Sequence, residues 1–205
     1  MNSFLFELPS QVPDGNFLPC DGEVFYHGAV FQASEADRYY SELFNHIEWM
    51  HDEAVIFGKR IVTSRKVAWY GDAGYRYRYS GTEKRALPWI PALLELRTRV
   101  QAISGVAYNS CLLNLYHSGE EGMGWHSDDE TTLRRDAAIA SLSFGAERKF
   151  AFRHKTTKET VALVLEHGSL LMMQGATQRH WRHALPKSKK VKAPRINLTF
   201  RSIAG

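Results

Sequence analysis

The chain has 205 residues, 44% hydrophobic and 12% aromatic, enough to bury one sizeable core, so a single compact domain spanning 1–205 is expected. No apolar run approaches the roughly 20 residues needed to span a bilayer, and no basic region precedes the short opening stretch FLFEL, which excludes a membrane partner and predicts a soluble, intracellular chain. Cys20 and Cys111, far apart, make no disulfide framework, and a monomer in the cytoplasm, or in the nucleus of a eukaryote, is the default expectation.

In chain order, Pro9, Pro13, Gly15 and Pro19 keep residues 1–33 to short extended pieces. Ser34 offers an N-cap to a helix whose apolar positions Ala36, Tyr39, Tyr40, Leu43, Phe44 and Ile47 recur at helical spacing. A second helix is predicted after Pro88, with Leu93, Leu96, Val100 and Ile103 on one face and Gly105 as its stop. From Asn109 the pattern changes to short strands: SCLLNLY, AAIASLSF, KFAFRH, TVALVLEHGSLLMM and PRINLTFRS. Two helices followed by a run of strands predict an α+β arrangement, helices packed on a β-sandwich or jelly roll, with residues 1–108 as the N-terminal part and 109–205 as the core.

Charge is unevenly spread. The formal total is +4, compatible with a polyanionic partner. Residues 120–136 carry Glu120, Glu121, Asp128, Asp129, Glu130 and Asp136 against Arg134 and Arg135, while residues 187–205 carry six basic side chains and no acid. On the last strand Arg195, Asn197, Thr199 and Arg201 share one face and Ile196, Leu198 and Phe200 the other. An edge strand with its polar side in water is one reading of this alternation. Asn114 and Tyr116 repeat it on another strand, and if both polar faces line one barrel mouth, the cavity suits a small dicarboxylate.

His126 and Asp128 form H-x-D just past a strand, a weak signal alone. His180 and His183, in TQRHWRHALP, can supply a third metal ligand. Two histidines and one carboxylate on one face of an octahedral ion leave three positions open, as non-haem Fe(II) requires to bind a cosubstrate and oxygen. Zinc fits the ligand types too, with Asp129 or Glu130 as general base of a hydrolytic site, but it leaves the arginine strand unexplained.

Taken together, WHSDDE, HWRHALP and RINLTFR resemble the signature of the AlkB family of Fe(II)- and 2-oxoglutarate-dependent nucleic-acid dealkylating dioxygenases. IFGK, YGDAGYRYRYSG, SFGAERKFAFRH and HGSLLMM are similar to its duplex-DNA repair branch. The resemblance implies a double-stranded β-helix (jelly-roll) core with flanking N-terminal helices and a nucleotide-recognition lid. It implies iron on His126, Asp128 and His183, with His180 a neighbour, and 2-oxoglutarate held by Arg195 with help from Tyr116 and Asn197, the pocket completed by Asn114, Thr199 and Arg201. The implied reaction, with oxygen, is oxidative dealkylation of bases such as 1-methyladenine and 3-methylcytosine, releasing succinate, carbon dioxide and formaldehyde.

A methyl on the pairing edge of a base is hidden in a duplex, so the nucleotide must be flipped or already single-stranded. By resemblance, Phe57 with Gly58 and Lys59 is a wedge between base steps. Tyr79, where the branch often has Phe, stacks on the flipped base opposite His126, with Tyr77 and Arg78 beside it, and Asp129 reads the exocyclic amine next to Glu130. Arg65 and the basic stretch PKSKKVKAPR are candidate phosphate holders. A related dioxygenase acting on RNA or single strands is the alternative, and a non-enzymatic barrel or zinc hydrolase is a more distant one.

Overall fold

The computed structural model describes residues 15–56, 59–72, 76–79, 82–130, 133–134 and 136–204. Its elements in chain order are β1 (Glu23–Ala29), α1 (Ala33–His46), β2 (Met50–Ile56), β3 (Lys59–Gly71), β4 (Arg76–Tyr79), β5 (Thr82–Arg85), α2 (Pro91–Ser104), β6 (Ser110–Tyr116), β7 (Met123–His126), β8 (Ile139–Gly145), β9 (Arg148–His154), β10 (Thr160–Leu165), β11 (Ser169–Gln174), α3 (Thr177–His180), β12 (Trp181–Leu185) and β13 (Arg195–Arg201). A major sheet runs β1-β11-β8-β13-β6-β3-β2, a minor sheet runs β10-β9-β12-β7, and β4 pairs with β5 alone.

Strand periodicity divides the core into two layers. Even-numbered residues of β13 and β8 (Ile196, Leu198, Phe200; Ala140, Leu142, Phe144) join Cys111, Leu113 and Leu115 of β6 and the buried faces of α1 and α2 in one apolar cluster. The opposite face of the major sheet sends Val24, Tyr116, Ile139, Leu171 and Met173 against Phe150, Phe152, Leu163, Leu165 and Trp181 of the minor sheet side. Successive side chains on a strand point to opposite faces, so one sheet serves two cores. The result is helices over a major sheet over a minor sheet, the jelly-roll arrangement expected of the sequence.

Several local expectations change. Ser34 is not the cap: α1 starts at Ala33 with Gln32 as N-cap and no side-chain hydrogen bond there. Helix α2 begins with Pro91 in its first turn, where a missing N–H costs nothing, and ends at Gly105 in the left-handed region with φ 68°. Leu93, Leu96 and Val100 are fully buried, but Ile103 in the last turn is exposed. Strands also precede and separate the helices instead of only following them: β1 pairs with β11, and β3 joins β2 to β6. The β2–β3 pairing was hidden in the sequence by adjacent basic residues, Lys59–Arg60 and Arg65–Lys66, and by a register shift between His51 and Glu53 that breaks simple alternation. Finally, β13 is no edge strand, since β6 and β8 pair with it on either side.

Candidate active site

The minor sheet brings the candidate metal ligands together. His126 ends β7 and His183 lies in the middle of β12, and the two residues are direct cross-strand partners. Their rings approach with centroids 4.2 Å apart. Asp128 follows two residues later, its backbone N–H donating to Gln178 Oε1 at 2.9 Å, so the turn after β7 swings the carboxylate back over the pair. Asp128 Oδ1 lies 3.8 Å from His126 Nε2 and 4.0 Å from His183 Nε2. Asp128 and His183 side chains are 4% and 5% exposed, whereas His126 is 36% exposed and faces the opening.

Hydrogen bonding settles which atoms can ligate. His126 Nδ1 lies 2.8 Å from the Gly124 carbonyl, an acceptor, so Nδ1 carries the proton and the Nε2 lone pair is turned toward Asp128. Burial pushes the His183 imidazole down to about 3, against the pull of Asp128, so this ring is neutral and a competent ligand at physiological pH. Burial also works to raise Asp128, but the Arg201 guanidinium and both imidazoles overcome it and hold the carboxyl below its ordinary value. Arg201 Nη2 donates to Asp128 Oδ2 at 2.7 Å, leaving Oδ1 as the oxygen directed at the histidines. Two imidazole nitrogens and one carboxylate oxygen, all within 4.8 Å of one another, fit a divalent iron that keeps half of its coordination sphere open.

The polar face of β13 meets this triad. Arg195 pairs with Tyr116 across to β6, and Asn197 with Asn114. On the other side Asn197 faces Ser143 and Thr199 faces Ser141 of β8. Arg195 is 2% exposed. Its Nη2 donates to Ser143 Oγ at 2.9 Å, its Nε has no partner, and among the described residues no carboxylate pairs with it. A buried guanidinium left without an anion is costly, and the arrangement fits a carboxylate ligand that completes the pair. Asn197 Nδ2 donates to Ser141 Oγ at 2.8 Å, and Thr199 Oγ1 to Asn197 Oδ1 at 3.3 Å. These bonds hold Asn197 against β8. Thr199 and Tyr116 are themselves buried.

The structure thus gathers His126, Asp128, His183, Asn114, Tyr116, Arg195, Asn197, Thr199 and Arg201 on facing sheets. Within that set Arg201 is engaged with the Asp128 carboxylate. Asp129 is 69% exposed, with Lys155 Nζ at 3.9 Å, and Glu130 is half-buried. His180 is exposed and stacks on His154, centroids 6.2 Å apart, away from the triad. Phe57 and Gly58 lie outside the described residues. Lys59, Tyr77, Arg78 and Tyr79 have described strand backbone, with their side chains outside that description. Arg65 is not presented to solvent as a phosphate holder: it is 11% exposed and ion-paired with Asp52.

A second grouping, Cys20, Asp21 and His154, also has ligand atoms within 4.8 Å. His154 Nδ1 accepts the backbone N–H groups of Thr156 at 3.3 Å and Thr157 at 3.0 Å. The proton therefore resides on Nε2, the atom 3.3 Å from Asp21, and a protonated nitrogen has no lone pair for a metal. Sequence reasoning missed Ser141, Ser143 and Gln178. The two serines alternate within AAIASLSF, so the period-2 signal was present; Gln178 carried none, since its contact depends on a distant turn.

A family model described as the 2OG-Fe(II) oxygenase superfamily matches residues 22–201. The chain is 42% identical over 202 residues to DNA oxidative demethylase ALKBH2 of Mus musculus, covering 93% of this chain and 84% of that protein. It is 41% identical to the Homo sapiens protein of the same name, covering 93% and 77%. Alpha-ketoglutarate-dependent dioxygenase alkB homolog 3 of Bos taurus is 39% identical, covering 82% of this chain and 62% of that one. The solved structure of OsALKBH1 is similar at a TM-score of 0.60 and 17% identity, covering 91% and 99%, a likeness of fold. With the superfamily match running through both histidines, Asp128 and the whole arginine strand, this chain belongs to the AlkB family of the 2OG-Fe(II) oxygenases, dioxygenases that use Fe(II), 2-oxoglutarate and oxygen.

Proposed function

We propose that the protein repairs DNA by oxidative removal of N-linked alkyl groups from bases, with lesions of the 1-methyladenine and 3-methylcytosine type as substrates. The observation that carries this reading is Arg195, a buried guanidinium without a carboxylate partner, on the strand face that ends at the His126–Asp128–His183 triad. The relatives named DNA oxidative demethylase support DNA as the substrate.

Iron, 2-oxoglutarate and oxygen supply the oxidation of the alkyl carbon, with succinate, carbon dioxide and, from a methyl group, formaldehyde as products. The chain's own contribution is positional. His126 and His183 present their Nε2 atoms and Asp128 presents Oδ1, while Arg201 occupies Oδ2 and keeps the carboxylate ionised. Arg195 would hold the far carboxylate of 2-oxoglutarate, helped by Tyr116 and Asn197. Phe150 and Phe152, with ring centroids 5.5 and 6.2 Å from His183, make the wall behind the triad apolar and keep water out.

The damaged base reaches this site flipped out of its helix. In this reading Phe57, Gly58 and Lys59 form the wedge, Tyr77, Arg78 and Tyr79 hold the extruded nucleotide, and Asp129 and Glu130 read its polar edge. Lys187, Lys189, Lys190 and Lys192 are all exposed after β12, suited to phosphates. The protein acts as a monomer in the cytoplasm or, in a eukaryote, the nucleus. The test is formaldehyde release with Fe(II) and 2-oxoglutarate on methylated DNA and RNA oligonucleotides, paired and unpaired. Duplex DNA is expected to be a good substrate, and Phe57→Ala to reduce turnover on the duplex selectively. Turnover confined to RNA or unpaired strands, indifferent to Phe57→Ala, assigns the chain to the single-strand reading.

A further inference from the structure

Arg65 lies on β3 with one guanidinium nitrogen paired to the buried Asp52 carboxylate of β2. Its Nη1 donates to Asn114 Oδ1 at 2.7 Å and approaches Met123 Sδ at 3.8 Å. A guanidinium has donors and no acceptor. This contact therefore dictates which end of the Asn114 carboxamide is which: the oxygen faces Arg65 and the NH2 group faces away. Among the described residues, no acceptor takes Asn114 Nδ2. Asn114 sits directly across β13 from Asn197, two residues along β6 from Tyr116, which faces Arg195. The NH2 group is thus offered as a donor on the polar face of the sheet, the polarity an anionic ligand needs. Turned by 180°, the same side chain would present a carbonyl oxygen to a carboxylate.

We propose that Arg65 is a positioning residue for 2-oxoglutarate: fixed by Asp52, it holds the oxygen of Asn114 so that the amide NH2 is presented to the keto acid. The inference rests on the reading of Asn114 as a cosubstrate contact. It also ties β2 and β3 to the cosubstrate pocket through one buried ion pair.

The test is calorimetric titration of 2-oxoglutarate into the protein loaded with Mn(II), so that nothing turns over, supplemented by the salt dependence of duplex-DNA binding. Asn114→Ala is expected to weaken 2-oxoglutarate about tenfold, the loss of one hydrogen bond to a charged group. The paired replacement Arg65→Met with Asp52→Leu removes both members of this ion pair together, and is expected to weaken it about five- to tenfold. Adding Asn114→Ala to that pair should weaken it no further, because Arg65 acts through Asn114. The salt slope for DNA is expected to be unchanged. A paired variant binding within twofold of the parent, beside a tenfold loss in Asn114→Ala, overturns the role of Arg65 and leaves Asn114 standing. Parent-like binding by Asn114→Ala removes the underlying reading instead. A DNA salt slope smaller by about one, with 2-oxoglutarate affinity intact, makes Arg65 a phosphate holder. Should the paired variant not fold, Arg65→Lys keeps the charge beside Asp52 but lacks the fork that spans both partners; severalfold weaker 2-oxoglutarate binding is expected, and unchanged binding overturns the proposal.

Discussion

Replacing Arg195 with methionine separates what this side chain costs the empty fold from what it contributes to the ligand. Burial, opposed by Tyr116 and reinforced by Arg148, brings the Arg195 guanidinium down to about 10, a displacement of about 3 kcal/mol against the charged form. Methionine removes that penalty. It also removes the 2.9 Å hydrogen bond to Ser143 and the placement of the guanidinium 5.7 Å from the Tyr116 ring, together about 1–2 kcal/mol. The ligand-free variant should therefore be about 1–2 kcal/mol more stable, a rise in Tm of about 3–6 °C for a domain of this size. Its affinity for 2-oxoglutarate should drop about 10²- to 10³-fold, the loss of a charged bidentate contact worth about 3–4 kcal/mol. Thermal melts with and without 2-oxoglutarate read both effects, because a ligand that binds only the native state raises Tm. An Arg195→Met protein that melts below the parent and still gains stability from 2-oxoglutarate would refute the reasoning on both counts.

Asp128→Asn keeps the shape of the side chain but removes the charge that pairs with Arg201 and that would meet iron; iron content after gel filtration and formaldehyde release should both fall to background, with about 2–4 kcal/mol of stability lost because the Arg201–Asp128 ion pair is broken. In the metal-free protein, the His183 imidazole takes a proton far less readily folded, at about 3, than unfolded, near 6.5. Below pH 6.5 the unfolded chain therefore binds the extra proton, and stability should decline from that point down to about pH 3, by about 4–5 kcal/mol in all; denaturant midpoints that stay level between pH 6.5 and 4 in His183→Phe but not in the parent would check the assignment. Gly122→Ala places a methyl carbon 2.4 Å from the Leu185 carbonyl oxygen, where it must push β7 from β12; a loss of about 1–3 kcal/mol in stability and weaker metal retention should follow, and unchanged iron content would show that the two strands yield without moving the histidines.

Much of the site was legible because it is written in strand parity. Arg195, Asn197, Thr199 and Arg201 alternate with Ile196, Leu198 and Phe200, and the structure turns the first set toward the triad and the second into the helix-side core. Asn114 and Tyr116 follow the same rule on β6. Nothing local separated His180 from His183, three residues apart. That choice is made where α3 ends and β12 begins, with His183 placed opposite His126 and His180 stacked on His154 outside. The edge-strand reading of β13 failed for a similar reason: alternation reports two unlike faces, and a polar interior cleft produces the same pattern as solvent.

Composition, alternation and the spacing of H-x-D are properties of neighbouring residues, so they were determined by the sequence alone: an apolar core, two covering helices, a strand-rich second half and a candidate metal turn. Charge partnership is not local. Arg201 is drawn to Asp128 across 73 positions and Arg65 to Asp52 and Asn114 on two different strands, while Arg195 is left without a carboxylate among the described residues. In the sequence these three arginines look alike. Only the fold, by setting which groups lie within reach and how much water is removed around each, decides that Arg201 pairs with Asp128, that Arg65 donates to the Asn114 oxygen, and that Arg195 is buried against Ser143.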